Sequence, residues 1–129
     1  MVTIERTYAP GVCNISPEEE ARRLAFGWVG VAVTIALAAA LWLTGVPAPW
    51  RLTLFIPATL AATGFLQAGL HFCAGYGMKG VFNVGSEVGK VQNVEQEEFA
   101  KKDRAKAQLI FALSLAIGAV VGVGSALLP

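Results

Sequence analysis

Charge is scarce in this chain. Only 15% of its 129 residues are Asp, Glu, Lys or Arg, whereas soluble domains carry about a quarter. Histidine occurs once and cysteine twice, with no Cys-x-x-Cys spacing, so these ligands fall short of a closed four-ligand zinc site. No Ser-His-acid set or carboxylate pair for hydrolysis is present. The formal net charge of +1 supplies no long-range pull toward nucleic acid, and no nucleic-acid partner is expected. What the chain has instead is apolar surface, at 55% of residues.

That surface is gathered into three windows, residues 24–50, 52–78 and 109–128, none of which contains Asp, Glu, Lys or Arg. Each exceeds the roughly 18 apolar residues of a membrane span. A chain this short could not bury all three in a soluble core. The expected fold is an all-α integral membrane protein with three transmembrane helices, an antiparallel hairpin followed by a long third helix with a cytoplasmic extension. The first window follows an acidic, structured-looking stretch without an evident cleavage site, so it is read as a permanent span.

Orientation follows from the placement of Lys and Arg, which are retained on the cytoplasmic side. Arg6, Arg22 and Arg23 precede the first span. Lys79, Lys90, Lys101, Lys102, Arg104 and Lys106 lie between the second and third, while the other loop has only Arg51. The expected arrangement is multi-pass, with the N-terminus cytoplasmic and the C-terminus outside.

Within one membrane domain, the expected divisions are a cytoplasmic leader at 1–15, a helix with span one at 17–45, span two at 52–73, a cytoplasmic loop at 74–93 and a helix with span three at 94–128. Ser16 is a good N-cap, Pro17 suits the first helical position, and Glu19 can close a capping box. Pro47 and Pro49 break the chain in a turn. Gly75-Tyr76-Gly77 reads as a helix stop. It lacks the Thr-Val and pore helix of a potassium-channel filter. Asn93 is expected to cap the last helix. Residues 85–90 lack the spacing, the following Ser or Thr and the preceding strand of a phosphate loop.

Small residues mark the expected packing faces. Ala32, Ala36 and Ala40 recur every four positions and predict an intramolecular seam. Gly118 and Gly122 form a GxxxG pair, extended by Ala126, for either dimerisation or internal packing. Thr59, Thr63, Gln67 and His71 form a polar line that should face protein, bonding neighbouring helices or preceding carbonyls. The basic cluster from Lys101 to Lys106 reads as a solvated anchor. No cofactor is predicted from the sequence. Topology does bring Cys13, His71 and Cys73 to one membrane face, where they form a candidate thiol or metal site, set against the plainer reading of small buried residues and an interfacial histidine.

With these residues laid out, the stretch 14–83 resembles the YgaP-like transmembrane domain family, small bacterial inner-membrane domains found alone or fused to rhodanese sulfurtransferase domains. Asn14-Ile15, Glu19, Arg23 and Gly27 look like its beginning, and Phe72-Cys73, Tyr76 and Gly80-Val81 like its end, with Asn83 displaced by one residue. Ser16, Glu20 and Ala74 depart from the usual Gly, Arg and Pro. The third span and its charged lead-in are additional. The resemblance implies a helical hairpin in the membrane and an association with sulfur transfer, in which Cys73 would carry a persulfide, His71 would influence thiolate formation and Cys13 would resolve it.

Two functions compete on this reading. The first is a non-enzymatic packing or accessory subunit, with the bilayer and either a second copy or a larger membrane complex as partners. The alternative is a cytoplasmic-face sulfur or metal relay at Cys73, His71 and Cys13, served by a soluble sulfur-transfer partner. A small transporter ranks third, because the spans hold no charge.

Overall fold

The computed structural model describes residues 7–85 and 87–129; Arg6, counted above among the charges preceding span one, lies outside them. The chain forms α1 (Pro17–Leu43), a 3-10 helix (Ala48–Leu54), α2 (Phe55–Leu70), α3 (Ala74–Lys79), β1 (Val81–Phe82), β2 (Gln92–Asn93) and α4 (Glu97–Ala126). Three helical stretches, Pro17–Leu43, Ala48–Leu70 and Glu97–Ala126, are long and apolar enough to cross a membrane.

The start of α1 follows from its cap. Ser16 Oγ accepts the Glu19 N–H at 3.3 Å, Pro17 enters the first turn, and Glu18 to Glu20 face the positive helix end. Only this half of the capping box forms, because the Glu19 carboxylate is engaged by Gly89 and Arg23. The helix ends at Leu43, two residues short of the expected boundary, where Thr44 caps it through its N–H and hydroxyl on Ala40 O. Gly45 then adopts φ +68°, a conformation that favours glycine. The second stretch starts early, as a 3-10 turn from Ala48, and ends at Leu70.

His71 ends α2. It sits at φ 56°, left-handed for a non-glycine residue, and its N–H bonds Ala68 O while Phe72 N–H bonds Gln67 O. This pair of bonds is a Schellman motif. The helix is therefore already closed before Gly75-Tyr76-Gly77, and that triplet lies inside α3 rather than serving as a stop. Gly80, at φ 71°, ends α3. The start of α4 is also displaced. Gln92 and Asn93 pair with Phe82 and Val81, and Val94 N–H bonds Gly80 O. This pairing holds Asn93 in a strand, so α4 begins at Glu97 with Gln96 as its N-cap, not at residue 94.

The helices pack with α2 between α1 and α4, which scarcely touch each other. Gly27 and Gly30 of α1 are buried against Phe65 and Ala61, and Gly64 lies against the Gly27 and Arg23 backbones. Glycine allows closer approach than alanine, and this face takes the seam. Ala32, Ala36 and Ala40 are exposed, since Ala32 lies roughly 200° around the helix from Gly30. The expected alanine seam is corrected accordingly. On the other side of α2, Gly118 packs against Thr59 and the Phe55 carbonyl, and Gly122 against Phe55 and Leu52. The GxxxG pair is thus occupied within the chain, with Ala126 half-buried.

Arg51 ties the end of the bundle away from the charged loops. Its Nη1 donates to Leu128 O at 2.7 Å and Ser125 O at 3.3 Å, and its guanidinium lies 4.2 Å from the centre of the Trp42 ring. A cation on the last carbonyls of α4 also faces the negative end of that helix. One side chain therefore joins α1, the 3-10 helix and α4.

Candidate functional site

The charged end of the bundle is closed by buried polar side chains, each held for a local reason. Asn14 is fully buried between the leader and α1. Its Oδ1 accepts the Cys73 N–H at 2.6 Å and its Nδ2 donates to Cys73 O at 3.1 Å, while Asn14 N–H bonds His71 O. One amide thus bonds both backbone groups of Cys73, the last residue of the link between α2 and α3, whose carbonyl also accepts the Gly77 N–H. Gln67 performs a similar role one turn before the end of α2, accepting the Ala74 N–H at 2.9 Å and donating to Thr63 O at 3.2 Å. Burial without such partners would leave several orphan polar groups in an apolar setting.

Around Cys73 the side chains converge. Arg23 Nη2 donates to Cys73 Sγ at 3.1 Å, Nη1 donates to Glu19 O at 3.1 Å, and the guanidinium lies 5.2 Å from the Tyr76 ring centre. Glu19, with no exposed surface, receives the Gly89 N–H on Oε1 and places Oε2 3.3 Å from Arg23 Nη1. Burial raises the Tyr76 hydroxyl above its ordinary pKa; the neighbouring Glu19 carboxylate adds to the rise, and Arg23 opposes it. Residues from α1, α3 and the loop before β2 meet here, with the sulfur almost wholly enclosed.

A second closure lies against α4. Asp103, also without exposed surface, accepts the Tyr8 hydroxyl at 2.6 Å and the Gly11 N–H at 2.8 Å. Tyr8 stacks on Phe82 with ring centres 4.3 Å apart. Gly77 of α3 has no room for a side chain between Phe72 and the Asp103 carbonyl. Burial pushes the Tyr8 hydroxyl well above the ordinary tyrosine range, and the Asp103 hydrogen bond and charge push it further. The leader is thereby fastened to the start of α4.

The residues expected to form a thiol or metal site have separate partners. Cys73 faces a cation, His71 Nδ1 lies 2.9 Å from Glu20 Oε1 at the surface, and Cys13 Sγ points to Ile15 O at 3.5 Å. Among the described residues no group of three His, Cys, Asp or Glu side chains is placed to hold a metal ion, which corrects the metal reading of Cys13, His71 and Cys73. The polar line divides likewise. Thr63 bonds Thr59 O, Gln67 joins the closure, and Thr59 Oγ1 is buried beside Gly118 without a hydrogen-bond partner. His71 turns away with its left-handed backbone.

Reading the residues singly missed the parts played by Asn14 and Asp103 and the contact of Arg23 with sulfur. Asp103 did carry a signal, as the lone acid amid Lys101, Lys102, Arg104 and Lys106. No known protein family, curated protein or solved structure matches the chain.

Proposed function

We propose that this is a non-enzymatic accessory protein of the bacterial cytoplasmic membrane, its three helices spanning the bilayer with the closed polar end in the cytoplasm and the C-terminus outside. The observation carrying this reading is the uneven use of the helices. Of the 27 residues of α1, only Glu19, Gly27 and Gly30 are buried, whereas the shorter α2 buries seven. The side of α1 away from α2 retains Ala32, Ala36 and Ala40, an exposed small-residue stripe of the kind that admits a neighbouring helix in lipid. The polar groups of the closed end are meanwhile engaged with one another, which suits a rigid support better than a catalyst.

The test is photo-crosslinking in native membranes from a diazirine amino acid at Ala36, with Val120 of α4 as the reference position. A discrete protein adduct at Ala36 and only lipid adducts at Val120 are expected. Lipid adducts alone at both positions would refute an accessory role.

The Arg23 contact favours a second reading, a sulfur relay at Cys73, in keeping with the resemblance to YgaP-like domains and their sulfurtransferase company. A guanidinium donating to sulfur is suited to stabilise a thiolate or persulfide anion. In inverted vesicles given a persulfide donor, Cys73 would then gain sulfane sulfur and Cys73→Ser would not. An unlabelled wild type would end this reading.

A further inference from the structure

The flank of α1 bearing Arg22 opens into a groove of about 510 Å³ lined by Arg22, Arg23, Ala25, Phe26, Val29 and Gln67. Its two ends differ chemically. At one end Arg22 is exposed and, unlike Arg23, has no hydrogen bond, ion pair or ring contact among the described residues. Toward the other end Phe26 and Val29 are 50% and 60% exposed. Val29 lies seven residues beyond Arg22, about 10 Å along the helix axis. The floor is closed because the Gln67 amide is already bonded to Thr63 and Ala74.

From this arrangement we infer that the groove holds one anionic phospholipid, its phosphate on Arg22 and the start of an acyl chain along Phe26 and Val29. The inference rests on the membrane placement above but requires no protein partner. Charge complementarity selects the occupant: a guanidinium with no ion pair among the described residues, at the charged end of a span, is matched by a phosphate in the headgroup layer. A helix from a second copy would have to desolvate that cation while covering Phe26 and Val29, at a cost that a phosphate in the headgroup layer avoids. Lipid satisfies both ends of the groove at once, and free phosphate only one.

The experiment places the full chain in nanodiscs of phosphatidylcholine with a minor share of phosphatidylglycerol, then measures retained lipid by native mass spectrometry after release into detergent. One phosphatidylglycerol per chain, enriched about fivefold over its share of the bilayer, is expected. Arg22→Gln should abolish the enrichment without changing the helical circular dichroism, and Lys101→Gln, at an exposed residue of α4, should preserve it. Equal retention of both lipids, enrichment unaffected by Arg22→Gln, or a lipid-free dimer would overturn the site. So would displacement of the lipid by millimolar inorganic phosphate, which would leave the apolar half without a role. Failure of the chain to enter nanodiscs would instead refute the membrane reading, and the lipid site with it.

Discussion

Replacing Gly30 with alanine should loosen the α1–α2 seam. The added Cβ would lie 2.7 Å from Ala61 Cβ, 2.8 Å from its Cα and 2.9 Å from its nitrogen. Carbon atoms in contact rest about 3.5–4.0 Å apart, so α1 must back away by about 1 Å. Two of the three obstructing atoms are backbone and have no rotamer with which to yield. Overpacking of this kind costs about 1–3 kcal/mol. The better helix propensity of alanine returns up to about 1 kcal/mol, leaving a net loss of up to about 2 kcal/mol. Gly69→Ala in α2 provides the comparison, because a Cβ there meets nothing within 4 Å, and it should be neutral or stabilising by up to about 1 kcal/mol. Unfolding in detergent, followed by tryptophan fluorescence, suits both variants, since Trp28 stands edge-on to Phe65 at 5.2 Å beside the seam. Equal stability of Gly30→Ala and Gly69→Ala would refute the close-packed glycine seam.

Three further outcomes follow from the closures at the two ends. Arg51→Ala should cost about 1–2 kcal/mol through loss of the Trp42 stack and of a cation at the end of α4, and Arg51→Lys should recover only part of this in the same unfolding assay. Asn14→Ala strands the buried N–H of Cys73, whose carbonyl keeps the Gly77 N–H, and should cost about 1–3 kcal/mol, read as faster proteolysis at the link between α2 and α3; wild-type resistance would contradict the role given to that amide. The Tyr8 latch predicts a pH dependence. Its folded pKa lies above the unfolded value of about 10, so the folded chain holds the proton more tightly. The stabilisation is present below about pH 10 and is lost as pH rises above it. Limited proteolysis of the leader should therefore accelerate above about pH 10, and Tyr8→Phe should lose that dependence while being more easily cleaved at neutral pH.

The three long helices were legible because charge-free windows of that length have few other physical uses, and Ser16-Pro17 marked the first start through local chemistry alone. The seam of α1 was not. Its glycines and its alanine stripe are both small-residue faces, and the choice between them depends on how nearly Ala61 and Gly64 can approach, which belongs to α2. Asn93 was a plausible cap until its backbone paired with Val81, a partner supplied by a turn elsewhere. His71 is the residue that ends α2, and no local signal favoured a histidine at positive φ. Cys73 and His71 stand close in the sequence, yet the turn between them sends one to Arg23 and the other to Glu20. Asp103 is buried because the leader supplies two donors, a fact absent from its own neighbourhood.

The most direct test of a three-span chain with its polar closure in the cytoplasm is labelling by a membrane-impermeant maleimide. Cysteines introduced singly at Pro49, Lys90 and Pro129 would be probed in right-side-out and inverted vesicles, with the unmodified chain giving the background from Cys13 and Cys73. Pro49→Cys and Pro129→Cys should react in right-side-out vesicles and Lys90→Cys only in inverted ones. Labelling of Lys90→Cys and Pro129→Cys from the same side would contradict this topology.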